Sequence, residues 1–212
     1  LRTLIGGAMA AAAGMLILGS CTNLEIGEEE AFDVRRTISP RYFDIPAGDD
    51  GPKLEEVHFT TSDGLELEGW WISQKGAENT VLYVGGNGFV IASSFHIITS
   101  IIEQRVNLFV FDYRGYGTNP GSPSVEGVKT DTEAAYRYLT RQRDVDPASL
   151  VIHGHSIGSL LAAHTANRHR AAGLVLESPI TDGEDLASRL VPWWLEIFVR
   201  IELEEPLTKI SN

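Results

Sequence analysis

Cysteine is almost missing from this chain: its 212 residues include one, Cys21. That excludes a disulfide within the chain and any thiolate-rich metal site. Positive charge is also scarce. Seventeen Lys and Arg stand against 29 Asp and Glu, giving a formal net charge of −12, which argues against a surface built to gather nucleic acid or anionic lipid. The acidic excess reads as a solvated surface. Apolar residues, by contrast, make up 43% of the chain, enough for a compact core and too many for a chain disordered throughout.

The first 21 residues stand apart. Leu4 to Leu18 is an uncharged run rich in alanine and leucine, preceded by Arg2 and followed by Gly19-Ser20-Cys21. It is too short for a comfortable membrane span and suits the apolar region of an export signal ending in small residues. Leu18-Gly19-Ser20-Cys21 resembles the lipobox of a bacterial lipoprotein, in which the cysteine is lipidated and becomes the new N-terminus. An ordinary signal peptide or a single N-terminal anchor is the alternative. The resemblance implies a signal over 1–20, a lipid on Cys21 and a tether over 21–53. It also implies a place in the bacterial cell envelope, with the outer membrane favoured because Thr22, and not aspartate, follows the cysteine.

From residue 54 the patterning is that of a folded domain. Glu55–Thr60 and Leu65–Ile72 read as a hairpin across the turn Thr61-Ser62-Asp63-Gly64. Thr80–Val84, Val106–Phe111, Leu150–His153 and Gly173–Leu176 are short apolar runs without clean alternation, as expected of strands covered on both faces. Helices fall between them, so the class is α/β. The clearest helix spans Val125–Leu139, with Val125, Val128, Thr132, Ala135 and Leu139 on one face. A second opens at or just after Ser156.

The sequence around that serine is Val151-Ile152-His153-Gly154-His155-Ser156-Ile157-Gly158-Ser159-Leu160. Gly-x-Ser-x-Gly alone is a weak signal, but here a strand precedes it and a helix with small residues follows it. This context fits a nucleophile elbow, where glycines permit a turn that lifts the serine hydroxyl clear of the sheet. A capping serine in a plain turn is the alternative. Attack by a serine on a carbonyl builds an oxyanion that needs preorganised donors. The Ile157 amide is one candidate, and the unencumbered loop Gly85-Gly86-Asn87-Gly88 offers a second.

These stretches, with Phe109-Val110-Phe111-Asp112-Tyr113-Arg114-Gly115-Tyr116-Gly117 and Leu174-Val175-Leu176-Glu177-Ser178-Pro179, resemble the α/β-hydrolases, within them the serine-peptidase-like and BEM46-like group. The resemblance covers roughly residues 54–212. It implies an α/β-hydrolase fold, mostly parallel with an antiparallel N-terminal hairpin and incomplete after its sixth core strand. It also implies Ser156 as catalytic serine, with the amides of Ile157 and Asn87 as oxyanion donors. Gly85 departs from the pattern, since relatives commonly carry histidine there. Asp112 reads as scaffold, because the acid of this fold follows the serine.

The general base is the difficulty. Only His164 and His169 follow Ser156, eight and thirteen positions into or past its helix, and a helix carries them off at about 1.5 Å per residue. The triad acid and histidine are therefore expected beyond residue 212. Trp193, Trp194 and Phe198 fall in an apolar segment, within a region of about 183–205, that reads equally as the start of a lid over an acyl pocket or as a helix packed on the core. The expected function is a serine hydrolase of esterase or acyl-hydrolase type, acting on small acyl esters without metal or cofactor and nearly inert as this chain alone. A noncatalytic, membrane-tethered lipoprotein that binds small apolar or acyl ligands is the alternative.

Overall fold

The computed structural model describes residues 22–26, 32–34, 51–180 and 199–203. In chain order the elements are β1 (Thr22–Ile26), β2 (Lys53–Thr60), β3 (Glu66–Ser73), β4 (Thr80–Val84), α1 (Phe95–Ile102), β5 (Asn107–Phe111), α2 (Val125–Gln142), β6 (Leu150–His155), α3 (Ile157–Arg168), β7 (Gly173–Glu177) and β8 (Val199–Leu203). Six strands form one sheet in the order β2-β3-β5-β4-β6-β7. Strands β5, β4, β6 and β7 run parallel, while β2 and β3 form the antiparallel hairpin and β3 also meets β5 antiparallel.

The uninterrupted apolar run of β5 is explained by its central place. Leu108 and Val110 join Trp70, Ile72, Tyr83, Ile98 and Ile102 on the α1 side of the sheet. Phe109 and Phe111 join Phe59, Tyr138, Leu139 and Leu161 on the side of α2 and α3. Helix α2 buries the expected stripe of Val125, Val128, Thr132, Ala135 and Leu139, and Ser124 caps it by accepting from the Gly127 amide at 3.1 Å.

Two features differ from the sequence reading. Strand β7 is expected to be covered on both faces; among the described residues it is the last strand of the sheet, and Leu174, Val175 and Leu176 are 41%, 45% and 39% exposed. Strands β1 and β8 pair in parallel as a separate two-stranded sheet, Thr22 opposite Val199 through Ile26 opposite Leu203. They lie in stretches read as tether and lid, where Leu24 and Ile26 and Val199, Ile201 and Leu203 alternate over too few residues to announce a strand.

Candidate active site

Strand β6 delivers the chain to Ser156, and α3 starts at the next residue. Ser156 has φ 54° and ψ −121°, a left-handed conformation that a non-glycine residue adopts only where its surroundings enforce it. The surroundings are specific. Ser156 donates its amide to the Glu177 carbonyl at 2.9 Å, and its own carbonyl accepts from the Ser159 amide at 2.9 Å and the Ser159 hydroxyl at 2.5 Å. The Ser159 hydroxyl in turn accepts from the Ile180 amide at 3.1 Å. Strand end, elbow and helix start are thus tied together, and no side-chain cap bond engages the Ser156 hydroxyl.

The two flanking glycines are required by close approach. A Cβ on Gly154 would meet the Gly158 carbonyl oxygen and, at 2.7 Å, the Ala162 Cβ. One on Gly158 would run into the carbonyl oxygens of Val84 and Gly85. The first turn of α3 therefore lies directly on the end of β4 and the start of the following loop. Ile157 stands at the positive end of the helix, where main-chain amides favour an anion.

That loop reaches the serine. A Cβ on Gly86 would be 2.7 Å from the His155 Nδ1 and 3.3 Å from the Ser156 Cβ. The Phe89 amide donates to the Gly86 carbonyl at 3.1 Å, and Gly88 has φ 73°, the pattern of a type II turn with Asn87 at its corner. The glycine at position 85 also has a cause: a Cβ there would collide with the Phe89 ring, which packs on Tyr83 with centroids 5.4 Å apart. An aromatic ring fills the space beside Gly85.

Three residues of the turn after β5, where Asp112 reads as scaffold in the sequence, hold the loop and the residues that follow it. Tyr113 donates its hydroxyl to the Gly85 carbonyl at 2.6 Å, and Tyr116 donates to the Asn87 Oδ1 at 3.0 Å. Asp112 accepts from the Ile91 amide at 2.8 Å. Burial, helped by the charge of Glu68 and opposed by the Ile91 amide, pushes the Asp112 carboxyl up to about 7. Arg114 faces the other way and forks between Asp131 and Asp63, at 2.7 Å and 2.8 Å.

The histidines are occupied elsewhere. His164 meets Glu133 on α2 at 3.2 Å, and His169 stacks on Tyr136 with centroids 4.6 Å apart. His153 meets Glu177 at 3.2 Å, His58 lies 4.0 Å from Glu66, and His96 is exposed on α1. His155 sits against Gly86 on the elbow itself. Ser156, Ile157 and the Asn87 loop are thus brought together. Trp193, Trp194, Phe198 and Cys21 lie outside the described residues. Ser159, Tyr113 and Tyr116 were missed, and only their nearness to the two motifs could have flagged them.

The profile of the family described as serine aminopeptidase, S33, matches residues 76–207, more than half of the chain. The YfhR protein of Salmonella typhi, described as uncharacterized, is 33% identical over 157 residues, which is 66% of this chain and 54% of that one. Rv2307c of Mycobacterium tuberculosis, likewise uncharacterized, is 35% identical over 151 residues, 70% of this chain and 52% of its own. The chain spans about half the length of the curated relatives it matches. Among solved structures, an alpha-beta hydrolase from Vibrio vulnificus superposes with TM-score 0.59 at 22% identity, over 77% of this chain and 63% of that one. The Pyrococcus furiosus esterase Pf2001 superposes with TM-score 0.58 at 23% identity, over 75% and 64%. At those identities the likeness is one of fold. With its mixed sheet, its strand-serine-helix elbow and this profile match, the chain belongs to the serine aminopeptidase S33 family of α/β-hydrolases.

Proposed function

We propose that Ser156 is the nucleophile of a hydrolase acting on small acyl esters, with the amides of Ile157 and Asn87 as oxyanion donors. The observation that carries this reading is the φ of 54° at Ser156, held between a strand and a helix start with Gly86 packed on the serine. Strain of this kind persists where surrounding bonds enforce it, and here it holds the serine between the start of α3 and the Gly85–Gly88 loop. In the reaction the Ser156 oxygen bonds to the acyl carbon while its proton passes to a base and then to the departing alkoxide. Water next attacks the acyl-serine, releasing the acid and returning the proton to the serine. The five histidines engaged or exposed away from the elbow are not that base in this proposal. Base and orienting acid come from outside the described residues.

The test uses the protein with whatever sequence its gene encodes on either side of these 212 residues. Wild type should hydrolyse short acyl esters and take up a serine-directed phosphonate at Ser156, and S156A should lose both. An aminoacyl anilide is the comparison, since the family's description names an aminopeptidase. Full ester turnover by S156A would defeat the nucleophile, and anilide turnover exceeding ester turnover would defeat the ester class. We further propose that the domain is tethered at a bacterial cell envelope through a lipid on Cys21. Support comes from the Leu4–Leu18 run and Leu18-Gly19-Ser20 before the cysteine.

A further inference from the structure

Glycine occupies three of the four positions from Gly85 to Gly88. Such a loop has large conformational freedom to lose, so a fixed position for its amides has to be imposed from outside. Part of that comes from Tyr113 on the Gly85 carbonyl and from the Gly86–Phe89 turn bond. The corner itself is held through a side chain. The Asn87 Oδ1 accepts twice, from the Tyr116 hydroxyl at 3.0 Å and from the Asp33 amide at 2.7 Å, which uses both lone pairs of the amide oxygen.

The two donors come from distant parts of the chain. Tyr116 is fully buried, its ring edge-on to Tyr113 with centroids 5.8 Å apart. Asp33 belongs to the short segment Phe32–Val34, where the Val34 amide donates to the Phe32 carbonyl at 3.0 Å. This closes a three-residue turn around Asp33. Phe32 anchors the segment: it is 4% exposed and packs into the apolar cluster on the α2 and α3 side of the sheet. A stretch that reads as tether is thus seated on the loop beside Ser156.

Resting on the reading of Ser156 as nucleophile, we propose that Asn87 is a positioning residue: its side chain locks the loop whose amide faces the oxyanion, and the Phe32–Val34 segment is the latch that holds it. Oxyanion donors act only when preorganised at hydrogen-bond distance from the developing charge. A loop released at its corner therefore loses rate at the chemical step and leaves ground-state binding nearly unchanged.

The experiment measures two quantities on the protein with its full encoded sequence: hydrogen exchange at the Gly86–Phe89 amides, and phosphonate labelling of Ser156 resolved into affinity and maximal rate. N87A should raise loop exchange about tenfold and lower the maximal labelling rate by about tenfold or more, with affinity within about twofold. F32A and Y116F should each move both quantities the same way by less, and either one carries the test if N87A does not fold. N87D keeps both acceptor bonds and should return loop exchange to the wild-type level. Exchange at Phe109 and Val110 in β5 reports global stability and should rise by no more than exchange in the loop does. Unchanged loop exchange in N87A overturns the latch, and raised exchange with an unchanged labelling rate overturns the positioning role. Wild type that is not labelled at Ser156 overturns the nucleophile reading, and exchange still decides the latch by itself.

Discussion

Asp112 shows how one buried side chain couples the frame of the site to pH. The residue is 9% exposed, and its carboxyl accepts from the Ile91 amide and closes against Gly117, where a Cβ would collide with Oδ2. The folded state holds its proton up to about 7, against an ordinary value near 3.8. Between those limits the native protein binds more protons here than the unfolded chain does, so the contribution of Asp112 to stability is complete below about 3.8 and is lost as pH rises through 7. Wild type should therefore show a fall in urea midpoint from pH 5 to pH 8 that D112N, which cannot ionise, shows only weakly. Parallel slopes for the two proteins would mean that Asp112 titrates as an ordinary surface acid.

Among the elements, the β2–β3 hairpin and α2 are joined through Arg114. The Arg114 guanidinium donates to the Asp131 Oδ1 at 2.7 Å and 2.9 Å and to both Asp63 oxygens at 2.8 Å and 3.2 Å. The Arg114 main-chain amide adds a further bond to Asp131 at 2.9 Å. Asp131 has no exposed side-chain surface, so removing its partner strands a buried charge. R114A should lower the unfolding free energy by about 3–5 kcal/mol, and R114K should recover only part, because an ammonium cannot reproduce the planar fork. K129A, which breaks the surface pair of Lys129 with Glu126, should change it by about 0.5 kcal/mol or less. Urea denaturation of the three variants checks the contrast, and equal losses for R114A and K129A would contradict it.

On the scale of the whole molecule, two apolar cores flank the sheet, and β7, last of its described strands, has three exposed aliphatic side chains. No described helix is long and apolar enough to cross a membrane. The membrane connection proposed above is the lipid on Cys21. With Cys21 lipidated, metabolic labelling with a fatty-acid analogue should mark the wild-type product and not C21S. Equal labelling of the two would remove the tether, and with it the envelope location proposed for the domain.

The sequence alone determined whatever depends on near neighbours. A short unbroken apolar run placed Thr80–Val84 at its observed bounds, the apolar stripe from Val125 to Leu139 gave the buried face of α2, and Gly154, Ser156 and Gly158 marked the elbow, since turn chemistry is a local property. It could not show that Gly158 is glycine because the carbonyls of Val84 and Gly85 lie against it, or that Tyr113, Tyr116 and Asp33 hold the loop beside the serine. Those contacts join residues about thirty to seventy positions apart, and no periodicity encodes which distant hydroxyl meets which carbonyl. The exposure of β7 follows the same rule. Its composition suits a covered strand, and it is sheet order that puts it last among the described residues.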